Sequence, residues 1–273
     1  MIGVFDSGVG GLSVWREIAR LIPDVPLVYL ADQAHIPYGG RPLDEVRRLT
    51  LRAAEWLIGR DCAVVVIACN TASAAALEAL RATFPATPFV GIEPAIKPAA
   101  LHTQTGVVGV LATPTTLHSR RYADLVARWG RHVRVVEQAC PGWVQAVEEL
   151  PARVVCAGDD GLSRLVGDCV TPLLAQGADT LVLGCTHFPF LRPWIERAIG
   201  AWQVAHPDAQ AATIIDPAPA VARRVRQVWL DLAVHCGDAP PAREFWTTGS
   251  AGQFAHVASA LLGYAISACA LTL

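Results

Sequence analysis

Short apolar runs recur along the chain, and each is followed by a turn of glycine or small polar residues and then by an amphipathic segment. The first run extends from Ile2 to Phe5 and the second from Leu27 to Leu30. Continuous apolar runs of this length are typical of strands that are buried on both faces. Their alternation with helical segments predicts an α/β protein whose parallel sheets are flanked by helices.

The proline-bounded segment of residues 93–98 interrupts this alternation, and a second series of strands and helices follows it. We therefore expect a discontinuous first α/β domain of residues 1–95 plus 206–273 and a second α/β domain of residues 96–205. The pattern after residue 205 resembles that of the first domain, so we expect the chain to return there. Each half has an apolar strand that ends in cysteine, which predicts two similar domains related by a pseudo-twofold axis.

Those two cysteines are the candidate chemistry. Residues 64–68 lead into Cys69, and residues 180–184 lead into Cys185. A thiol beside a helix N-terminus has its pKa lowered by the helix dipole and by nearby N–H donors, so it can accept a proton near neutral pH. Two such thiols facing each other across an interdomain cleft can remove a proton from one face of a carbon atom and deliver one to the other. The sequence therefore predicts two-base racemisation.

Other interpretations of these cysteines remain open. Free cysteine is among the most buried residue types, so both thiols could simply pack in a core. A hydrolase dyad of Cys185 with His187 would leave Cys69 without a role. A metal site is disfavoured because the Cys-x-His pattern supplies at most two ligands.

Two loops that follow strands are candidate ligand-binding sites. The turn from Asp6 to Gly11 contains three glycines, so that backbone N–H groups could hold an anion at a helix N-terminus. The alternative is a tight turn in which Asp6 only caps the helix. The loop of residues 31–42 is rich in proline and glycine and lies where open α/β sheets bind ligands, and Tyr38 could present its hydroxyl group there.

Composition narrows the cellular setting. A net charge of −2 with 17% charged residues gives no reason to expect nucleic acid or an acidic membrane as a partner. The eight cysteines form no CxxC pair and no disulfide framework, and the first residues lack the features of a signal peptide. We expect a cytoplasmic protein with reduced thiols. The uncharged stretch of residues 249–273 is expected to form a terminal helix and tail, because its apolar segments are shorter than the roughly 20 residues of a membrane span.

Taken together, these segments resemble the glutamate racemases, cofactor-independent enzymes that supply D-glutamate for bacterial peptidoglycan. The resemblance spans most of the chain in the expected order and rests on residues 5–11, 37–39, 68–72, 91–95, 140–142 and 184–187. It implies two α/β domains with the active site between them. Thr115 departs from the pattern, because the family more often has glycine before the threonine that corresponds to Thr116, and His35 and Ile36 also differ from the usual residues.

The resemblance assigns roles to particular residues. The implied catalytic residues are Cys69 and Cys185 as the acid/base thiols, with His187, Asp6 and Glu148. The implied substrate-binding residues are Asp6, Ser7, Tyr38, Gly39, Asn70, Thr71, Thr116, Thr186 and His187. The implied partner is the small molecule glutamate, with no cofactor, no metal, no nucleic acid and no membrane; whether the chain forms a homodimer is left open. The alternatives are a racemase of aspartate or a hydantoin, a decarboxylase relative, which would need only one thiol, and an amino-acid-binding protein without catalysis.

Overall fold

The computed structural model describes residues 1–149, 160–233 and 241–273, in which strands and helices alternate. The strands are β1 (Ile2–Asp6), β2 (Leu27–Ala31), β3 (Val64–Ile67), β4 (Phe89–Gly91), β5 (Val107–Ala112), β6 (Arg134–Ala139), β7 (Thr180–Gly184), β8 (Thr213–Ile215), β9 (Arg243–Thr247) and β10 (Cys269–Ala270). The helices are α1 (Leu12–Leu21), α2 (Leu43–Ile58), α3 (Asn70–Thr83), α4 (Ile96–His102), α5 (Pro114–Leu117), α6 (Arg120–Trp129), α7 (Trp143–Glu148), α8 (Asp160–Ala175), α9 (Arg192–Ala205), α10 (Ala218–Asp231) and α11 (Ala251–Leu262). Short 3-10 helices cover Gln33–His35, Tyr38–Gly40 and Phe188–Leu191.

The strands form two sheets in which every described pair is parallel. One sheet has the order β10-β9-β2-β1-β3-β4, and the other has the order β6-β5-β7-β8. The predicted fold class, two parallel sheets flanked by helices, is confirmed. The two sheets share one strand order: β2-β1-β3-β4 in the larger sheet corresponds to β6-β5-β7-β8 in the smaller one. The third strands, β3 and β7, are the ones that lead into Cys69 and Cys185, so the two thiols occupy equivalent positions.

The strand near residue 213 lies in a different sheet from the one that we expected. β8 pairs with β7 in the four-stranded sheet, with Ile214 opposite Leu181, so the expected return to the first domain after residue 205 is wrong for this strand. Its position is stabilised at the sheet edge, where the Thr213 N–H donates to the Asp179 carbonyl at 2.8 Å. The chain returns only afterwards, because α10 packs against α1, β3 and β4. An apolar run of three residues does not indicate which of two sheets it joins.

The helical segment of residues 114–129 is interrupted. It forms as α5 and α6, because the Ser119 side chain caps the second helix: its hydroxyl accepts from the Tyr122 N–H at 3.2 Å and donates to the Thr116 carbonyl at 2.7 Å. Serine favours this cap position over a helix interior. The interruption leaves Thr116 in a separate short helix beside the candidate site.

The largest apolar core passes through both halves of the molecule. It includes Val9 and Leu12 next to β1 and, from the other half, Leu183 and the pair of Trp143 and Phe188, whose rings lie 4.7 Å apart at a steep angle. All five side chains are fully buried. A shared core of this kind sets the relative position of the two sheets, because buried side chains interdigitate at close to crystal density.

The C-terminal stretch forms a helix and a tail, as expected. Ser250 caps α11 by accepting from the Gln253 N–H, and α11 ends at Gly263, whose φ is +79°. Phe254 of α11 is fully buried and stacks with Tyr29 at 5.9 Å. β10 then adds to the edge of the larger sheet. Within the described parts of the chain, every helix is too short or too polar to cross a membrane.

Replacement of a core residue of the second sheet tests this packing. Leu181 in β7 is fully buried, and Leu181→Ala should lower the free energy of unfolding by about 2–5 kcal/mol in urea denaturation. The control is Val204→Ala on α9, where the side chain is 85% exposed; it should change that free energy by less than about 0.5 kcal/mol. Equal effects of the two substitutions would contradict the assigned core.

Candidate active site

The turn after β1 binds a carboxylate of the protein itself. Asp6 is fully buried, and its Oδ2 accepts from the Gly11 N–H at 2.9 Å and from the Gly8 N–H at 3.3 Å. These two N–H groups therefore do not form an open anion site. The alternative, in which Asp6 caps the helix, is not observed either, because its carboxylate binds N–H groups of the turn and α1 has no side-chain cap. Burial raises the pKa of the Asp6 carboxyl group, although the charge of His187 and the Gly11 N–H oppose this rise.

Cys69 lies at the N-terminus of α3, as its sequence context predicts. Its Sγ accepts from the Ala72 N–H at 3.5 Å and lies 3.8 Å from the Ser7 hydroxyl oxygen. The expected lowering of its pKa is wrong in this structure. Burial raises the pKa of the Cys69 thiol well above its usual value, and the Asp6 charge adds to the rise; the Ala72 N–H only partly opposes them. Removal of water outweighs the helix N-terminus here, so Cys69 is a protonated thiol at neutral pH.

Cys185 begins a line of polar side chains. Its Sγ lies 3.7 Å from His187 Nδ1, and His187 Nε2 lies 2.8 Å from Glu148 Oε1. Burial on its own lowers the pKa of His187, but the hydrogen bonds with Cys185 and Glu148 outweigh burial and hold that pKa well above its usual value. These hydrogen bonds favour the positively charged imidazole, which lies beside the Cys185 thiol and opposite the Glu148 carboxylate.

The glycine turn packs directly against this line. A Cβ atom added to Gly8 would lie 2.0 Å from Glu148 Oε1, and one added to Gly10 would lie 2.2 Å from His187 Nδ1. The Val9 N–H donates to Glu148 Oε1 at 2.7 Å. Glycine is required at both positions because no side chain fits between the turn and the His187–Glu148 pair.

Further hydrogen bonds join the strand ends of the two sheets. The Thr186 hydroxyl donates to Asp6 Oδ1 at 3.4 Å, and the Ser13 hydroxyl donates to the Thr186 carbonyl at 2.9 Å. The two thiols lie within electrostatic range of each other, since a negative charge on Cys185 raises the pKa of the Cys69 thiol. The structure thus brings together the predicted residues Asp6, Ser7, Cys69, Glu148, Cys185, Thr186 and His187.

Three threonine hydroxyls form a second polar cluster across the two halves. Thr71 Oγ1 lies 3.2 Å from Thr113 Oγ1 and 3.3 Å from Thr116 Oγ1, and the latter two are 2.9 Å apart. Beside Thr71, the amide of Asn70 is buried, and neither its nitrogen nor its oxygen has a hydrogen-bond partner. An unpaired buried amide is costly, so Asn70 is available to both a donor and an acceptor of a polar ligand.

Tyr38 and Gly39 are engaged differently from our expectation. The Tyr38 hydroxyl donates to Asp32 Oδ2 at 2.7 Å, so it is not a free donor, and burial raises its pKa. The Gly39 carbonyl accepts from the Thr115 hydroxyl at 2.7 Å. Sequence reasoning missed Asp32, which is buried and also binds Thr248. A usable signal was present, because Asp32 directly follows β2 at the same sheet edge as the thiols.

Two further predictions concern a metal site, which we expect to be absent, and Cys156. Within residues 1–149, 160–233 and 241–273, no cluster of three or more His, Cys, Asp or Glu side chains is arranged to hold a metal ion. The independence of activity from metals stays a prediction. Cys156, which we expect to be dispensable, lies outside the described residues.

Two buried thiols thus have carboxylate, imidazole and hydroxyl groups beside them. Comparisons with known proteins show the family to which the chain belongs. The Asp/Glu/Hydantoin racemase family model matches residues 2–225. The chain is 51% identical over 227 residues to the glutamate racemase of Roseiflexus sp. (strain RS-1). The matched region covers 83% of this chain and 78% of the relative. It is 41% identical over 262 residues to that of Ectopseudomonas mendocina (strain ymp), covering 96% and 94%.

The solved structure of a glutamate racemase isoform from Bacillus anthracis matches with a TM-score of 0.86 at 33% identity, covering 100% of this chain and 97% of that chain. The chain therefore belongs to the Asp/Glu/Hydantoin racemase family. The resemblance to the glutamate racemases, drawn above from the motifs, is confirmed. As a racemase, the protein is an isomerase that acts on amino acids.

The contact between the glycine turn and His187 gives a direct test of the site. Gly10→Ala would place a methyl group 2.2 Å from His187 Nδ1, so the ring must move, and racemase activity should fall at least about tenfold while the circular dichroism of the fold is retained. Gly200→Ala in α9 is the control, because nothing lies within 4 Å of the added atom. Full activity of Gly10→Ala would contradict this packing.

Proposed function

We propose that the protein interconverts L-glutamate and D-glutamate by two-base proton transfer at Cα, with Cys69 and Cys185 as the two bases. The observation that supports this most strongly is the convergence of two thiols, from equivalent strand ends of the two sheets, on one buried site. For each enantiomer one thiolate removes the Cα proton, and the other thiol delivers a proton to the opposite face. The roles are exchanged in the reverse direction.

The two thiols have different partners, and these partners favour the acid and base roles that we propose for each thiol. On one side, the charged His187 next to Cys185 stabilises a thiolate and can take part in its protonation. On the other side, Cys69 is protonated as long as only Asp6 and neutral groups surround it. The ammonium group of a bound amino acid would lower the pKa of Cys69, because an opposite charge nearby favours the thiolate.

Hydrogen-bond donors would stabilise the intermediate. Loss of the Cα proton moves negative charge into the α-carboxylate, so groups already oriented toward that carboxylate lower the barrier without reorganisation. The unpaired amide of Asn70 and the hydroxyls of Thr71 and Thr186 are the residues we assign to this role. The proposed binding set is completed by Ser7, Thr116, Tyr38 and Gly39. Tyr38 would act through its hydrogen bond to Asp32.

The lysine content supports a mechanism without pyridoxal phosphate. Lys97 is the one lysine of the sequence, whereas a pyridoxal enzyme needs a lysine for its Schiff base. Its ammonium group lies 4.2 Å from the centre of the Trp129 ring. We infer that the thiols act without a cofactor.

The biological role that we infer is the supply of D-glutamate for peptidoglycan. It rests on the family resemblance and on relatives that carry the name glutamate racemase over 83–96% of this chain. Catalysis by free thiols fits a reducing cytoplasm, since oxidation to a disulfide would remove both bases.

Each thiol should be essential for racemisation. Cys69→Ala and Cys185→Ala should each reduce turnover of either enantiomer at least about a thousandfold, because every turnover needs both faces. Polarimetry of metal-free, dialysed protein measures this, and in heavy water the wild type should place deuterium at Cα of the product. The control is Cys269→Ala, which changes an exposed thiol at the edge strand β10. Near-normal turnover by either single mutant would exclude the two-base mechanism.

Substrate choice gives a second test. With Cα held between two thiols, aspartate is one methylene too short to bring both carboxylates to their donors, so a set of buried donors stays unpaired. We expect glutamate to exceed aspartate in kcat/KM at least about a hundredfold, measured by circular dichroism with each L-amino acid. Comparable turnover of aspartate would assign the protein to that branch of the family and leave the roles of the thiols unchanged.

A further inference from the structure

The Glu148 carboxylate is held by three groups, which are the Val9 N–H, the His187 imidazole and the side-chain amide of Gln33. Its Oε1 accepts from the Val9 N–H at 2.7 Å and contacts His187 Nε2 at 2.8 Å. Its Oε2 accepts from the side-chain amide of Gln33 at 2.8 Å. Gln33 begins the short 3-10 helix after β2, whereas Glu148 ends α7, so this bond joins the two halves of the molecule.

The orientation of the Gln33 amide is determined by its other contact. The Thr247 hydroxyl donates to Gln33 Oε1 at 3.1 Å, and Thr247 accepts from the Gly249 N–H at 3.0 Å. With the amide reversed, its oxygen would face the oxygen of Glu148, which is repulsive. The pairing of β2 with β9, which sets Ala31 opposite Thr247, brings these groups together. Gln33 is therefore a donor to Glu148.

We infer that Gln33 is a positioning residue for the reaction: it holds Glu148 against His187 and thereby maintains the charged imidazole beside the Cys185 thiol. This inference rests on the proposed two-thiol function. The contacts form one continuous line from Thr247 through Gln33, Glu148 and His187 to Cys185. Gln33 itself is three contacts away from the thiol and touches no proposed substrate-binding group.

The physical effect of Gln33 is electrostatic. A hydrogen bond to a carboxylate favours its ionised form, and the ionised carboxylate in turn favours the protonated imidazole. Among the residues that the structure describes, the other titratable groups that face His187 and Glu148 are Cys185 after β7, Asp6 of β1 and Tyr29 of β2. Loss of the Gln33 donor leaves these groups in place and removes only a hydrogen bond that stabilises the Glu148 carboxylate anion. The His187 imidazolium should therefore lose its proton at a lower pH.

The test replaces the amide with an apolar side chain of similar size. In Gln33→Leu, the pKa of His187, followed by NMR of protein with isotope-labelled histidine, should fall by about one unit. The His187 signal is assigned from its disappearance in His187→Asn. The alkaline limb of kcat/KM for glutamate should move to lower pH by the same amount, and equally for both enantiomers, because the equilibrium constant of a racemisation is one and the two kcat/KM values must agree.

The chain offers a matched control on the same helix as Glu148. Gln145 lines the cavity that Gln33 and Glu148 also line, a space of about 370 Å³, but its amide donates to the neighbouring Glu149 at 3.2 Å. Gln145→Leu makes the same chemical change next to the same cavity. It should leave both the His187 titration and the pH profile within about 0.3 unit of the wild type.

A second variant separates the hydrogen bond from the shape of the side chain. Gln33→Glu keeps the size, and the introduced carboxyl group shares one proton with Glu148, as closely paired carboxyl groups do. It can then donate the same hydrogen bond, so the pKa of His187 should stay at the wild-type value or above it. A fall in Gln33→Glu as large as that in Gln33→Leu would overturn the inference, as would an unchanged pKa of His187 in Gln33→Leu.

The NMR titration does not depend on turnover, which distinguishes the two proposals. If the wild type fails to racemise glutamate but Gln33→Leu still lowers the pKa of His187, the proposed function fails and the role of Gln33 toward His187 stands. If the wild type racemises glutamate and the titration of His187 is the same in both proteins, only the inference about Gln33 fails.

Discussion

The close approach of the glycine turn after β1 to the His187–Glu148 pair determines how the two sheets meet. Glu148 accepts the Val9 N–H of this turn, and neither Gly8 nor Gly10 has room for a Cβ atom beside the pair. The approach also puts the end of β1 next to the end of β7, so that Asp6 meets Thr186. Backbone N–H groups of the turn therefore hold the Asp6 and Glu148 carboxylates at the centre of the molecule.

The burial that results controls the chemistry more than the helix ends do. Asp6, Cys69 and His187 are all removed from water, and for each of them loss of hydration is the largest single influence on its pKa. His187 has a raised pKa in spite of its burial, because both of its ring nitrogens have hydrogen-bond partners. Whether a group at this site is charged therefore depends on its buried hydrogen-bond partners. In such a site, a bound ammonium group or carboxylate would shift the pKa values of its neighbours strongly.

The sequence was sufficient for those features that depend on local pattern. The apolar runs before Cys69 and Cys185 predicted two buried strands, and because parallel strands end at one edge, they also predicted that both thiols lie at carboxyl ends. Features that depend on contacts between distant segments could not be obtained in this way. The sheet to which β8 belongs and the raised pKa of Cys69 both arise from groups that are far apart in the chain.

The equal strand order of the two sheets has a consequence for symmetry. Two identical halves related by a twofold axis would surround both thiols with identical groups. Here the halves belong to one chain, so each can carry its own substitutions: Cys69 has Ser7 beside it, whereas Cys185 has His187. Covalent linkage of two similar units thus permits an asymmetric environment around a symmetric pair of thiols. This suits a racemase, because its two substrates are mirror images whereas the protein around them, made of L-amino acids, has no mirror symmetry.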